Sequence, residues 1–338
     1  MSINRRFLLK ASTSVITASM LGKIGFATAA ERMWMYDSHC HLISEDEERF
    51  PHANNNPPAG GGGGQPPGQG PGAGGPPPPG VRFGQIHPQP TVSNVLKWME
   101  ENDVKAAAAV QKKGTYGFDN SYVLAAADTV SDKFTAVTVI DAEDSATPNL
   151  IREFSKKHEF AGIRMSGGQG DNVDYAWLLS DNALKTWAAA NELGLSVDLM
   201  AVAPGYSAKT TAHYYDLARK FPKTRLVLNH IAWPDLGTEN YGINAELKKL
   251  SQLGNVYFKF TTINLDMLDA AEVSSSEFLR IAIDALGANR IMWGSDIGNS
   301  AGTYGQMVAR MLAAAESLTA EEKQWVLSDS ARTAYSDF

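Results

Sequence analysis

Eight short apolar or β-branched runs recur along this chain, spaced so that one helix fits between each and the next. This alternation constrains the fold more than any other feature. The runs lie at 33–39 ("MWMYDSH"), 105–111 ("KAAAAVQ"), 134–141 ("FTAVTVID"), 160–165 ("FAGIRM"), 195–201 ("LSVDLMA"), 225–230 ("RLVLNH"), 255–261 ("NVYFKFT") and 290–296 ("RIMWGSD"). Between them stand helical patterns such as "SNVLKWMEEN", "DNALKTWAAANELG" and "SEFLRIAIDALG", the last two closing on a glycine in the C-terminal cap position. Eight strands that each lead into a helix predict a (β/α)8 TIM barrel, an α/β fold built as a single domain. A doubly wound sheet is the competitor, but no G-x-G-x-x-G turn follows the first run.

A barrel of this kind carries its active site at the C-terminal ends of the strands, so the polar residues there are read together. The first run ends in His39 and His41, the fourth carries Arg164, the sixth ends in His230, the seventh carries Lys259 and the eighth ends in Asp296. Each has an ordinary explanation alone: His230 as a cap, Lys259 reaching out to solvent, Asp296 as the N-cap of "SDIGNS". Side chains alternate along a strand, so His39 and His41 share one face and Cys40 takes the other. Three histidines, an aspartate and two cations then converge on one cavity.

Two segments fall outside this pattern. Residues 1–30 contain Arg5, Arg6, Lys10 and Lys23 and no acid, and run through an apolar, Ser/Thr/Ala-rich stretch to "FATAAE". They read as a signal peptide cut near Ala29 or Ala30. Within them "RRFLLK" resembles the twin-arginine export motif, with Leu8 where phenylalanine is usual. The expectation is a folded protein carried by the twin-arginine export machinery to a periplasmic or otherwise exported location, leaving 31–338 as the barrel. The second segment, 54–80, "NNNPPAGGGGGQPPGQGPGAGGPPPPG", holds nothing to bury and no helix or strand pattern. It reads as a Pro/Gly-rich disordered insertion that begins close to the histidine pair.

Charge and cysteine usage exclude several function classes. The formal net charge is −7, and without the four cations of residues 1–30 it falls to −11, so a nucleic-acid partner is disfavoured for want of a basic face. No run of 18 or more apolar residues follows the signal-like segment, so no membrane span is expected there. Cys40 is the only cysteine, which excludes an internal disulfide, and its face of the strand assigns it to packing. Nothing suggests a fibre or a coiled coil. A small-molecule substrate is the remaining partner.

The chemistry such a constellation supports is activation of water beside a carbonyl group. Asp296 takes a proton from water, while a cationic group or metal polarises the electrophile and stabilises the oxyanion. One divalent ion, zinc or manganese, held by His39, His41 and Asp296, with His230 as a further candidate, would have acceptable nitrogen and oxygen ligands. Arg164 and Lys259 suit a substrate carboxylate or a developing negative charge. Lys113 and Tyr116, in "VQKKGTYGF", are further candidates for substrate binding.

Taken in order, Asp-x-His-x-His, "RFPH", "VQKKGTYGFDNSYVLAAA", "FTAVTVID", "AGIRM", "LVLNHIAWPD", "NVYFKFT" and "RIMWGSD" resemble the amidohydrolase-related proteins of the lactonase branch. That branch includes 2-pyrone-4,6-dicarboxylate lactonase and sugar-acid lactonases. The resemblance implies a (β/α)8 barrel that hydrolyses a lactone, with Asp296 as the water-activating aspartate and His39, His41 and His230 around the substrate carbonyl. It places Arg164 and Lys259 at pocket positions. Some relatives work without a metal, so the resemblance leaves both mechanisms open.

This chain also departs from the branch. After the strand 6 histidine the usual Gly-Arg-Pro is Ala232-Trp233-Pro234, so an arginine suited to an anionic substrate is replaced by an aromatic. After Gly-Ser-Asp the usual Trp-Pro-His is Ile297-Gly298-Asn299. The fifth run ends in "DLMA" without a histidine, which argues against a two-metal centre. Lys112 and Lys113 stand in for the lost positive charge. The expectation is therefore a lactonase-like hydrolase of a small carboxylated or cyclic carbonyl compound. A decarboxylase of the same superfamily and a non-catalytic periplasmic binding protein are the alternatives.

Overall fold

The structure, a computed structural model, describes residues 34–53, 88–158, 160–167, 175–200 and 208–335. The signal-like segment 1–30 and the insertion 54–80 lie outside the described residues.

All eight predicted runs are strands: β1 (Met35–Cys40), β2 (Val104–Val110), β3 (Phe134–Asp141), β4 (Phe160–Ser166), β5 (Ser196–Leu199), β6 (Arg225–Leu228), β7 (Val256–Thr261) and β8 (Ile291–Gly294). They form one sheet in sequence order, with every pair parallel. The sheet closes just past the end of β8. There Cys40 bridges Ile297, the Asp296 amide donates to the His39 carbonyl at 2.7 Å and the His41 amide donates to the Ile297 carbonyl at 3.0 Å. The fold is a (β/α)8 barrel.

The helices between strands begin and end where local chemistry dictates. In Val92–Glu101 the Thr91 hydroxyl accepts from the Asn94 amide, and in Asp181–Leu193 the Ser180 hydroxyl accepts from the Ala183 amide. Asp181–Leu193 stops at Gly194, whose φ of 67° is the left-handed conformation that a side chain resists.

Two apolar layers result. The outer one, between sheet and helices, takes Cys40, Ala107, Ala109, Ile163, Met165, Val197, Leu199, Ile291 and Trp293 from the strands. The inner one fills the barrel with Tyr36, Ala106, Ala108, Val110, Val137, Val227, Tyr257 and Met292. Small alanines on β2 leave room for the inner tyrosines, as packing to interior density requires. Tyr36 is inner and Cys40 outer although they stand four positions apart, an even offset that regular alternation would place on one face. A register irregularity between Asp37 and Cys40 resets the alternation, which is what an inserted bulge does to a strand. That reset turns His39 and His41 into the barrel.

The last helix, Ser330–Tyr335, crosses the opposite mouth of the barrel. The Ser196 hydroxyl, at the start of β5, donates to the Ala334 carbonyl, and Arg225 Nε, at the start of β6, donates to the Thr333 carbonyl at 3.0 Å. Ala331, Ala334 and Tyr335 join the inner layer and close the barrel from below. No helix among the described residues is long and apolar enough to cross a membrane.

Candidate active site

The site is built where the sheet closes. Asp37 fixes the end of β1: its Oδ1 accepts from the His39 amide at 3.0 Å and from the Ser295 amide at 2.8 Å, and its Oδ2 from the Tyr304 hydroxyl at 3.1 Å. His39 and His41 then face one another, Nε2 to Nε2, at 3.3 Å. His41 Nδ1 lies 2.8 Å from the Val110 carbonyl at the end of β2. A carbonyl only accepts, so His41 carries its ring proton on Nδ1 and presents a lone pair at Nε2.

Asp296 is held from the other side. Its Oδ2 accepts from the Ser300 hydroxyl at 2.7 Å and from Asn299 Nδ2 at 3.1 Å. Its Oδ1 is buried without a hydrogen-bond partner, 3.4 Å from His39 Nε2 and 3.5 Å from His41 Nε2. Strand β8 comes this close because two residues near it lack a side chain. A Cβ on Gly294 would stand 2.7 Å from His39 Cβ, and one on Gly298 (φ 91°) would stand 2.8 Å from His41 Cβ. Asp296 itself is left-handed at φ 57°, as are His230, Ile231, Ala232 and Trp233. Non-glycine residues held there cost about 1–3 kcal/mol each and persist where the surroundings over-determine them, commonly at functional sites.

The other sequence candidates separate into two groups. His230 joins the site: its ring centre is 5.5 Å from that of His39, with Nδ1 2.7 Å from Thr261 Oγ1. Arg164 points into the barrel near the charges of Asp198 and Asp296, with Nη2 2.7 Å from Met200 Sδ. Among the described residues no carboxylate is within ion-pair distance of it. Lys113 donates to the Ser166 hydroxyl at the end of β4, and Lys112 to the Gly298 carbonyl, so both cations reach the mouth.

Tyr116 and Lys259 are spoken for by the protein. The Tyr116 hydroxyl accepts from the Ser44 amide at 2.8 Å, which props the loop after β1. Lys259 is wholly buried behind His39, with Nζ 2.7 Å from Asp198 Oδ2 and 3.1 Å from His39 Nδ1. Asp198, Tyr335 and Ser300 were not singled out from sequence. Asp198 had a signal: an acid inside the buried run "SVDL" needs a partner, and the lysine inside "VYFKFT" is the matching base.

Electrostatics divide the groups cleanly. Burial pushes the Asp296 carboxyl up, but His41, His230 and the Ser300 hydroxyl together outweigh it and hold it at about 2. Burial takes His230 down to about 3 against the opposing pull of Asp296. Burial, aided by the Lys259 charge, holds His39 well below its ordinary value, and burial lowers His41 although Asp296 opposes it. At neutral pH the centre is therefore one carboxylate among three neutral imidazoles.

Ligand atoms of His39, His41 and Asp296 lie within 4.8 Å of one another, and among the described residues they are the only such group suited to a metal ion. His41 Nε2 and the unpartnered Asp296 Oδ1 fit a cation as they stand. His39 fits one only if its Nε2 also carries a lone pair. His230 stands beside this group rather than in it.

Fold and site together define a (β/α)8 barrel with a single carboxylate–imidazole centre at its C-terminal mouth. The sequence profile of the amidohydrolase family matches residues 36–336, and the chain belongs to that family. The chain is 24% identical over 196 residues to an L-fucono-1,5-lactonase from Burkholderia ambifaria, a match that covers 55% of this chain and 63% of that protein, less than two thirds of its length. Among solved structures it is similar to a candidate 2-pyrone-4,6-dicarboxylic acid hydrolase from Pseudomonas putida (TM-score 0.60, 19% identity, 90% of this chain and 97% of that one). It is also similar to an amidohydrolase from Burkholderia multivorans with bound zinc (TM-score 0.58, 18% identity, 89% and 99%). At those identities the two structures speak to fold alone.

Proposed function

We propose that the protein is a hydrolase that opens a small carboxylated lactone, using Asp296 to activate water. The observation that supports it is Asp296 Oδ1: a buried, ionised carboxylate oxygen with no partner, facing two imidazole edges across 3.4 and 3.5 Å. A water placed there gives its proton to Oδ1 as its oxygen attacks the lactone carbonyl carbon. The carbon–oxygen bond of the ring then breaks, and the departing alkoxide takes the proton back from Asp296, leaving an alcohol and a carboxylic acid that ionises by releasing water's second proton to solvent. His39, His230 and Arg164 surround the carbonyl oxygen, where negative charge develops. Lys112 and Lys113 at the mouth suit a carboxylate on the substrate.

If a divalent cation binds, His41 and Asp296 are its ready ligands, and its chemistry would be polarisation of the carbonyl. Export in the folded state through the twin-arginine machinery belongs to the same proposal and rests on "RRFLLK". A reporter fused behind residues 1–30 should reach the periplasm, and should stay inside the cell when Arg5 and Arg6 are both replaced by lysine.

The activity test is hydrolysis of a panel of sugar-acid and pyrone-carboxylate lactones in water enriched in oxygen-18. One labelled oxygen in the new carboxylate, absent with Asp296→Asn, is expected. Carbon dioxide released from aromatic acids, without lactone opening, would instead identify a decarboxylase.

A further inference from the structure

Two lone-pair acceptors, His41 Nε2 and Asp296 Oδ1, stand 3.3 and 3.4 Å from His39 Nε2. If His39 Nε2 were also a bare lone pair, the three would repel. Two arrangements relieve this: a cation bound by all three, or a proton on His39 Nε2. The far side of the His39 ring distinguishes them.

There, His39 Nδ1 is 3.1 Å from Lys259 Nζ. Lys259 is 0% exposed, 2.7 Å from Asp198 Oδ2 and 4.9 Å from the centre of the Tyr335 ring. The Tyr335 hydroxyl donates to the other oxygen, Asp198 Oδ1, at 2.5 Å, a length typical of a hydroxyl bound to an ionised carboxylate. Both oxygens of Asp198 are thus filled, and Lys259 is its ion-pair partner, with the carboxylate opposing the burial that lowers the lysine. The three N–H bonds of Lys259 have three acceptors: a carboxylate, an aromatic face and the His39 ring. An ammonium has no lone pair, so His39 Nδ1 must accept. A neutral imidazole has one ring proton, which then sits on Nε2.

We propose that Lys259, held by Asp198 and Tyr335, is a positioning residue that fixes His39 as its Nε2–H tautomer, making His39 a hydrogen-bond donor to the substrate's carbonyl oxygen and a poor metal ligand. The donor faces the place where an oxyanion develops, which is where such a donor stabilises the transition state. A cation meets two ligands prepared for it and a third turned to donate, with a fixed positive charge behind that third ring. The geometry of the tautomer stands by itself, and its catalytic consequence rests on the lactonase reading above.

The test uses the full chain labelled with nitrogen-15 histidine, and His39 is assigned by the resonances lost in His39→Gln. One-bond coupling to a proton is expected at His39 Nε2 and none at Nδ1, and the reverse pattern overturns the proposal. This measurement reads the tautomer whether or not any lactone is turned over, so it separates failure here from a wrong substrate class. Equilibrium dialysis against zinc gives a second readout. Lys259→Met is expected to bind zinc at least tenfold more tightly than the wild-type protein, and equal or weaker binding overturns the proposal. Should the unpaired Asp198 prevent folding, Asp198→Asn/Lys259→Met removes both charges and carries the same comparison. On lactones, loss of the donor is expected to lower kcat with little change in KM, and a change in KM alone counts against it.

Discussion

The backbone amide of Asp296 donates to the carbonyl of His39 at 2.7 Å, so the hydrogen bond that closes the barrel also sets the distance between the carboxylate and the first histidine. Site geometry and fold closure are thereby one feature. Because the link is through the backbone, the Asp296 side chain can be changed without opening the sheet.

Asp296→Asn is accordingly expected to keep its fold, read by circular dichroism and Tm, while kcat/KM for lactone opening falls by about 10²–10⁴, the usual contribution of a positioned general base. An active Asp296→Asn protein would remove the aspartate from the mechanism.

The glycines beside the histidines are required by contact. Gly294→Ala brings a methyl group to 2.7 Å from His39 Cβ, and Gly298→Ala brings one to 2.8 Å from His41 Cβ at a φ of 91°. Each should cost about 1–3 kcal/mol of stability, measured by urea unfolding, as overpacking does. Gly114→Ala, with nothing within 4 Å of the added Cβ, should stay within about 0.5 kcal/mol of wild type.

Two cations at the mouth should discriminate substrates by charge. Removing either Lys112 or Lys113 as methionine is expected to raise KM for a carboxylated lactone by roughly tenfold to a hundredfold, the range of a lost charge-assisted hydrogen bond. KM for an uncharged lactone should hardly move, and equal effects on both substrates would take the lysines out of carboxylate recognition.

Acid pH should separate activity from stability. Asp296 at about 2 and His230 at about 3 keep their charge states from neutral pH down to about 4, and burial holds His39 and His41 below the ordinary histidine value. Initial rates should therefore lack the inflection near 6.5 that an ordinary histidine gives. Stability runs differently: between 6.5 and about 3 the unfolded chain binds a proton at His230 that the folded chain refuses, so stability falls as pH drops through that window. Asp296, depressed from 3.8 to about 2, adds a further loss below 3.8. Tm measured from pH 7 to pH 4 should decline steadily, and a flat Tm would mean that His230 takes up its proton in the folded state.

Tyr335→Phe should destabilise the protein by about 1.5–3 kcal/mol, because it strips a buried carboxylate oxygen of its hydrogen bond. Chemical denaturation checks this, and an unchanged midpoint would mean that another donor reaches Asp198.

The eight strands, the helix ends at Gly194 and Gly287, and the meeting of His39, His41 and Asp296 with His230 beside them were all legible in the sequence. Those features depend on local periodicity and on one topological rule: the ends of successive parallel strands share a rim. The tertiary structure alone decided the rest. It showed that a bulge between Asp37 and Cys40 resets which residues face inward, that Tyr116 serves the Ser44 amide, and that Lys259 lies behind His39. Lys259 meets a residue 61 positions away, and Asp198 meets one 137 positions away. A charge inside a buried strand announces that it needs a partner, but which residue supplies it is set by barrel closure and by the last helix crossing beneath. No local pattern encodes that meeting.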